Sequence, residues 1–463
     1  MLISKHLYCF VRFPHFHCIL FFLSTGKRKA EGEGLAMADA CNSRSLSWLV
    51  KPCRPDPRRE IIALTPLDII HHLRPSSAAP IASLPDDLLL ECLSRVSTSS
   101  LPVLPLVCRR FSLLIDSPAF LRVRRSHGRL RRTLHALSLS DLGRLSSASL
   151  SADSSLDASW DLFSTSSGAV SLEVFEGSFS FAHARVAVLG RAIYIIGRGA
   201  TLRYDTWTGA VSPRAPTIFP RKKFAAAAIG GKIYVAGGAA RTSAVEEYDP
   251  VANAWRVVAE APKQRYGCVG AASGGVFYIA GGLRVGGGGT GVEAGRLDAH
   301  ICAGSMDAYH VDAGAWVRGR PGAGAGSAAA VPGGWCVVGA CGSGPYVYVV
   351  ASHAVELSFW RWEGKVRRGG GGEWTRLLPP PVPARLGLGG AVRFSCAAVG
   401  EEKVVALVQV SVGCSGHGGA RWGSDNLAVE GALLVYDIRS GEWNRGPDLP
   451  TRLRRAAVVC VEF

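Results

Sequence analysis

The side chains that could hold a metal or act as a nucleophile are scattered along this sequence. Its thirteen cysteines are an odd number and include no C-x-x-C pair, so neither a zinc site nor a disulfide framework is indicated. The histidines of the C-terminal two-thirds lack the close pairing of metal ligands: His183, His300, His310, His353 and His417. No G-x-S-x-G turn presents a serine nucleophile. The sequence therefore predicts no catalytic residue, no metal ion and no cofactor.

Composition indicates a protein built mostly of β-strands. The 463 residues are 48% hydrophobic, which is enough to bury one large domain and a smaller module. The 55 glycines and 25 prolines separate short apolar runs, a pattern typical of many strands joined by tight turns. Unpaired cysteines fit a reducing compartment, so we expect the protein in the nucleus, the cytoplasm or both.

Positive charge is concentrated near the N-terminus. The formal net charge is +16, and more than half of that excess lies in residues 1–133. The densest run is Arg122, Arg124, Arg125, Arg129, Arg131 and Arg132, a composition also found in nuclear-import signals and polyanion patches. No aromatic residues interleave with it to stack on bases, so a solvated linker is favoured and nucleic acid is not an expected partner.

The first 80 residues show no sustained periodicity. The apolar run Cys18–Leu23 is too short to span a bilayer, so no membrane association is expected. We expect translation to begin at Met37, with residues 1–36 an extension of the gene model. Residues 38–80 are expected to be mostly disordered, apart from a short helix around Leu67–Leu73.

Helical periodicity begins near Ser83. Ser83 can cap a helix, and Asp86 and Asp87 favour its positive N-terminus. An apolar stripe follows at helical spacing on Leu88, Leu89, Cys92, Leu93 and Val96. Two further short helices are indicated at Val103–Val107 and Arg109–Asp116, and Ser117-Pro118 is expected to end the pattern. Three such helices bury little core, so their surplus apolar surface requires a partner.

An internal repeat fills the C-terminal two-thirds of the chain. Four apolar runs end at glycine, at residues 192–198, 232–238, 276–282 and 335–341, and each follows an Ala/Val-rich run and a glycine turn. This order indicates one hairpin per repeat. Downstream, a tyrosine precedes a tryptophan by seven positions in three repeats: Tyr248 and Trp255, Tyr309 and Trp316, Tyr436 and Trp443. Such spacing favours packing between repeats over a ligand platform.

The last run of the chain, residues 454–463, matches the first strand of a repeat that lacks its second strand. Partner strands are available at Leu134–Ser140 and Ser159–Phe163, so the two ends of the repeat region are expected to share one unit. The other units start near Arg185, Arg221, Arg265, Ala328 and Gly389. This gives six units, with five and seven as alternatives.

The helical segment resembles the F-box. The resemblance rests on four motifs whose order and spacing match: Leu84-Pro85-Asp86-Asp87-Leu88, Leu93-Ser94-Arg95-Val96, Val107-Cys108-Arg109-Arg110-Phe111 and Ser117-Pro118-Ala119-Phe120. It implies a three-helix module at residues 81–125 that inserts into the Skp adaptor of an SCF ubiquitin ligase and through it joins the cullin. The implied Skp contacts are Leu84, Pro85, Leu88, Leu93, Val96, Val107 and Cys108. A helical cap that packs only on the rest of the chain is the alternative.

The repeats resemble kelch repeats, because Gly-Gly follows the second strand and Tyr then Trp mark the outer pair. This implies a kelch-type β-propeller over residues 126–463, and one F-box joined to one propeller resembles the plant F-box/kelch-repeat proteins. That family implies a substrate-recruiting subunit of a ubiquitin ligase with no catalysis of its own, whose propeller holds an unknown target protein. The alternatives are a propeller enzyme or specifier protein, and a scaffold independent of any ligase.

Arginines near the starts of successive repeats are the candidate target contacts: Arg185, Arg221, Arg265 and Arg385. Circular repetition would gather them at one mouth of the propeller channel, which suits an acidic target segment. The competing interpretation is that they satisfy loop carbonyls and neighbouring carboxylates. The Gly-rich insertion Arg284–Ser305 is a second candidate surface and equally suits a mobile spacer.

Overall fold

The computed structural model describes residues 81–139, 145–151, 161–163, 179–239, 242–284, 302–317, 329–353, 356–364, 372–381, 391–411, 429–450, 453 and 455–463. The expectations for residues 1–80, including the start at Met37, lie outside these ranges, as do Arg385 and most of the Gly-rich insertion. Of the helices in these ranges, none has the length and apolar content that crossing a bilayer needs.

Short helices form the first described segment. A 3-10 turn at Ile81–Ser83 precedes helix α1, Asp86–Ser94, whose first turn carries two aspartates at the positive end of the helix dipole. A 3-10 stretch at Thr98–Leu106 covers most of the predicted second helix and contains two prolines, which exclude regular α-helical hydrogen bonding. Helices α2, Arg109–Ile115, and α3, Pro118–Ser126, follow.

Ser117 and Pro118 begin a helix, so the prediction that they end the helical pattern was wrong. The Ser117 hydroxyl accepts a hydrogen bond from the Phe120 amide at 3.2 Å and so caps α3. Pro118 occupies the first turn, where a missing N–H leaves no helical hydrogen bond unmade. The pair therefore both separates α2 from the next helix and starts that helix.

The buried guanidinium of Arg124 ties these helices together. Its Nη1 donates to the carbonyls of Ser94 and Val96 at 3.0 Å each, and its Nη2 donates to the Arg129 carbonyl at 2.8 Å. Carbonyls at the end of a helix lack intrahelical partners and lie at the negative end of the dipole. A cation there satisfies both conditions, and Arg124 is 1% exposed.

The remaining described chain forms antiparallel sheets, numbered here as blades 1 to 6 in ring order. Blade 1 contains β1 (Arg132–Leu139), β2 (Leu145–Ser151), β3 (Asp161–Phe163) and the last strand, β27 (Ala457–Glu462). Blade 2 contains β4 (Ser180–Leu189), β5 (Ala192–Arg198), β6 (Thr201–Asp205) and β7 (Val211–Arg214). Blade 3 contains β8 (Ala225–Ile229), β9 (Lys232–Ala236), β10 (Ala244–Asp249) and β11 (Ala254–Glu260).

Blade 4 contains β13 (Val269–Ser273), β14 (Val276–Ala280), β16 (Ser305–His310), β17 (Ala315–Trp316) and β18 (Ala329–Ala330), while β12 (Arg265–Tyr266) and β15 (Leu283–Arg284) form a ribbon. Blade 5 contains β19 (Cys336–Ser343), β20 (Tyr346–His353), β21 (Glu356–Gly364) and β22 (Gly372–Leu377). Blade 6 contains β23 (Ala391–Val399), β24 (Lys403–Ser411), β25 (Val429–Asp437) and β26 (Glu442–Asp448).

One strand of each blade faces the equivalent strand of its neighbours. These inner strands contact one another in the order β4, β8, β13, β19, β23 and β27, and β27 contacts β4 to close the ring. The sheets are therefore the six blades of a propeller, as predicted. Inner strands are rich in Ala and Gly because neighbouring blades approach so closely that a Cβ on Gly270 would strike the Ala226 backbone.

Blade 1 is built from both ends of the propeller. Strand β27 pairs antiparallel with β1, from Arg132 opposite Glu462 to Leu137 opposite Ala457. This confirms the predicted composite blade. The prediction omitted β2, because its sequence LSSASLS shows little apolar alternation although most of its residues are buried.

Blade 5 starts later than predicted. The run 335–341 was predicted to be a second strand, but most of it is the inner strand β19, and β20 takes the second position. The preceding residues Pro332–Gly334 form a 3-10 turn, and Ala329–Ala330 pairs with β16 of blade 4. The predicted start near Ala328 was therefore wrong.

Tyrosine and tryptophan residues at the seven-residue spacing are cross-strand partners in the outer strands. Tyr248 faces Trp255 with ring centroids 5.0 Å apart, and the equivalent pairs of blades 4 and 6 are 5.2 Å apart. The Trp255 indole also donates to the Ala215 carbonyl at 2.8 Å and so links blade 3 to the segment after blade 2. The predicted packing role is confirmed.

Replacing Val461 by Ala should lower the free energy of unfolding by about 2 kcal/mol, because this β27 side chain is 0% exposed and packs between blades 1 and 2. Denaturant unfolding followed by tryptophan fluorescence measures the change. The matched control is Val251→Ala at a side chain that is 95% exposed, expected to shift stability by less than about 0.5 kcal/mol. Equal midpoints for the two variants would contradict closure through β27.

Candidate functional site

Exposed apolar side chains are concentrated in the helical segment. Of the eleven large apolar residues that are exposed in the described part of the chain, six lie between residues 81 and 113. They are Ile81, Leu88, Val103, Leu106, Val107 and Leu113. Leu106 and Leu113 are each 64% exposed. Large apolar side chains exposed in such number are typical of segments that bind another protein.

The residues implied as Skp contacts occupy two kinds of environment. Six are exposed or partly exposed: Leu84, Pro85, Leu88, Val96, Val107 and Cys108. Leu93 is 5% exposed and belongs to the interior, so it supports the helices and is not presented to a partner. The Cys108 sulfur also accepts a hydrogen bond from the Phe111 amide at 3.5 Å, which caps α2. Cys108 therefore stabilises the start of α2 in addition to being exposed at the surface.

The basic run at residues 122–132 is only partly the solvated linker that the sequence favoured, because most of its arginines are exposed but several also make structural contacts. Arg124 is buried, and Arg125 and Arg132 bind the Glu462 carboxylate at 3.0 and 3.1 Å. Arg129 donates to a backbone carbonyl just after α1 at 2.9 Å. These arginines therefore join α3 and β1 to the last strand instead of forming a free polyanion patch.

Arg221 and Arg265 are buried, so the prediction that they contact the target was wrong. Each is 1% exposed. Arg221 Nη2 lies 2.6 Å from the Glu246 carboxylate, and Arg265 Nη2 lies 2.8 Å from the Asp307 carboxylate. Both carboxylates are themselves buried, so these are desolvated ion pairs inside the propeller.

The same two arginines bind equivalent carbonyls in successive blades. Arg221 Nη1 donates to Gly237 at 2.8 Å, and Arg265 Nη1 donates to Gly281 at 2.8 Å. Each glycine is the first of the Gly-Gly pair that follows the second strand. This confirms the competing interpretation, in which the arginines satisfy loop carbonyls and carboxylates. Each guanidinium connects the start of its blade to the second and third strands.

The acidic partners of these arginines, Glu246 and Asp307, were not predicted from the sequence. Glu246 lies 25 residues after Arg221, but the insertion in blade 4 places Asp307 42 residues after Arg265. The repeat therefore shows no constant Arg-to-acid spacing. A signal does exist in the Arg-to-Gly-Gly distance, which is 16 residues in both blades.

Arg185 on β4 occupies a different position. Its Nε donates to the Phe224 carbonyl at 2.6 Å, and its Nη2 donates to the Cys268 carbonyl at 2.9 Å. These carbonyls immediately precede β8 and β13, so the guanidinium reaches from β4 to the starts of the next two inner strands. Arg185 is partly exposed. Of the four predicted target contacts, it is the one that the described structure leaves at the channel.

Within the ranges that the structure describes, no group of three or more metal-ligating side chains occurs. His183, His310 and His353 lie on blades 2, 4 and 5, and His300 and His417 lie outside the described residues.

Replacing Arg221 by Met should lower the free energy of unfolding by about 3 to 5 kcal/mol, because Glu246 is left as a buried, unpaired charge. Denaturant midpoints measure the loss. The matched control is Arg445→Met, which breaks an exposed pair with Asp448 and should cost less than about 1 kcal/mol. The double variant Arg221→Met, Glu246→Met should recover most of the loss. No recovery would show that the guanidinium acts mainly through its backbone carbonyls.

Comparison with known proteins identifies both modules. The F-box domain family matches residues 81–123, and the Kelch motif family matches residues 220–262, which span blade 3. The F-box/kelch-repeat protein At5g26960 of Arabidopsis thaliana is 48% identical over 436 residues, covering 92% of this chain and 100% of that protein. The F-box/kelch-repeat protein At1g67480 of the same plant is 28% identical over 217 residues, covering 44% of this chain and 54% of that protein. Because the first relative is similar over nearly the whole of both chains, and because both family models match, this chain belongs to the F-box/kelch-repeat proteins.

Proposed function

We propose that this protein is a substrate-recognition subunit of an SCF-type ubiquitin ligase. Its F-box binds the Skp adaptor, and through Skp the cullin, while its propeller binds a target protein. The observation that carries the proposal is the number of exposed apolar side chains between residues 81 and 113, since a partner that covers them would remove their apolar area from water.

The two modules support a division of labour. The F-box supplies one surface, and the propeller supplies another on a rigid frame whose loops are free to vary. Ubiquitin transfer then belongs to the conjugating enzyme that the ligase recruits. This chain contributes proximity, because a target held beside that enzyme has a high effective concentration.

A non-catalytic role also agrees with the relatives, which are named for their F-box and kelch repeats and not for an enzyme activity. We place the protein in the nucleus, the cytoplasm or both. The described cysteines are all free thiols, as a reducing compartment keeps them.

The Leu88→Asp, Val107→Asp double variant should lose co-purification with Skp and cullin while the propeller keeps its denaturant midpoint. Both side chains are exposed, at 50% and 40%, so a carboxylate there costs the fold little but places an unpaired charge in an apolar interface. Affinity purification of the tagged full chain from plant cells, with Skp quantified by mass spectrometry, measures the loss.

The matched control is the Val251→Asp, Leu378→Asp double variant. It adds the same two charges at exposed apolar positions of the propeller, which are 95% and 55% exposed, and should retain Skp. Undiminished Skp recovery with the F-box variant would refute the proposed adaptor surface. Equal loss with both variants would refute it as well, since the effect would then not be specific to the F-box.

A further inference from the structure

Basic side chains collect where the inner strands of four adjacent blades begin. The inner strands form a closed ring, and the inner strands of a propeller run along its axis in one direction, so their N-terminal ends share one mouth of the channel. The side chains at this mouth, called the mouth cluster, are His183 and Arg185 of blade 2, Lys222 and Lys223 before blade 3, Arg393 of blade 6, and Arg455 before the last strand of blade 1. The fold thus brings together residues that are distant in sequence.

The members of the mouth cluster are close enough to influence one another. Burial, and then the positive charges of Lys223, Lys222, Arg393 and Arg455, lower the pKa of His183 to about 4. Its imidazole is therefore neutral at pH 7. The cations come from blades on both sides of blade 2, so their field converges on the channel and not on one strand.

The positive charge of the mouth cluster has no counter-charge in the described part of the chain. None of the carboxylates there forms an ion pair with these cations, and the nearby Glu246 and Asp307 are held inside their blades by Arg221 and Arg265. Lys222 and Lys223 are exposed. Like charges gathered at a channel mouth repel one another and attract an anion from solution.

Two members of the mouth cluster hold a backbone conformation that glycine adopts more readily. The residue two positions before the inner strand has positive φ in blades 1, 3, 4 and 5, where it is Arg455 (55°), Lys223 (55°), Gly267 (83°) and Gly334 (70°). A non-glycine residue in this region costs on the order of 1 to 3 kcal/mol. Glycine would form this turn without that strain, so the choice of long cations at two of the four positions indicates a role beyond the backbone of the turn.

A small cavity beside the mouth indicates the size of the group that fits. Its volume is about 50 Å³, and Ser180, His183, Arg198, Arg221 and Lys222 line it. A carboxylate fits in a space of this size. The Tyr266 ring, which could otherwise stack on a base, already lies under the Lys223 ammonium, 5.6 Å from ring centroid to nitrogen.

We infer that the mouth cluster binds a segment of the target protein that carries several aspartate or glutamate side chains. The inference rests on the proposed function, since it assigns a chemistry to the target that the propeller holds. In this inference the target contacts are neighbouring cations that are open to solvent, and not the buried Arg221 and Arg265 that the sequence predicted. Arg185 remains in the set, with its carbonyl contacts fixing the guanidinium at the channel.

The Lys223→Gly, Arg455→Gly double variant tests this inference in the full chain. Glycine adopts the left-handed backbone without strain, so the denaturant midpoint should stay the same or rise. Binding of a fluorescent oligo-glutamate peptide, measured by anisotropy at physiological ionic strength, should weaken about tenfold. The matched control is Arg122→Ala, Arg439→Ala, which removes two exposed positive charges elsewhere and should leave peptide binding unchanged.

Three further probes decide the ligand class: an oligo-glutamine peptide, a phosphoserine peptide and a single-stranded oligothymidylate. Oligo-glutamate should bind tightest, and oligo-glutamine should not bind. Tighter binding of either of the other two, equal loss in the control variant, or no binding of oligo-glutamate would overturn the inference. Co-purification of Skp with the glycine variant is measured in parallel. If Skp co-purifies but the peptide test fails, only this inference is refuted. If the wild-type chain itself does not co-purify Skp, the proposed function is refuted.

Discussion

The antiparallel pairing of β1 with β27 is the interaction on which the rest of the structure depends. Each blade packs on its two neighbours, so an open ring would leave two blades with apolar faces in water. The ladder extends beyond the strands, since the Arg131 amide donates to the Phe463 carbonyl at 2.7 Å and the Phe463 amide donates back at 3.0 Å. Closing so long a loop is entropically costly, and the burial of Val458 and Val461 offsets part of that cost.

Closure also determines how the helical segment is joined to the propeller. Arg125 at the end of α3 and Arg132 at the start of β1 both bind Glu462 of the closing strand. The first and last residues of the ring thus meet where the chain passes from helix to sheet. A basic run that looks like a linker or a signal in the sequence becomes the point where three elements join.

Sequence reasoning succeeded where the determining interaction is local or periodic. Trp255 follows Tyr248 by seven positions because the two residues face each other across one tight turn. The same spacing therefore recurs in the equivalent pairs of blades 4 and 6. It failed where a tertiary contact decides. Arg221 and Lys222 are adjacent, yet one is 1% exposed and the other faces solvent, and the deciding partner, Glu246, lies on another strand. Surplus apolar surface on the F-box was predictable because three short helices bury little, but the sequence did not show which side chains would remain exposed: Leu88 of the α1 stripe is exposed, whereas Leu89 and Leu93 are buried.

The contrast between Arg221 and its neighbours shows how one turn serves both fold and surface. Arg221 draws a carboxylate and the Gly237 carbonyl into the blade, which fixes the turn before β8. A fixed turn can hold Lys223 in the left-handed region, because the surrounding contacts determine the backbone there. The buried ion pair therefore does more than join strands. It gives the propeller a rigid rim on which exposed cations can be placed without the charge repulsion between them reshaping the loop.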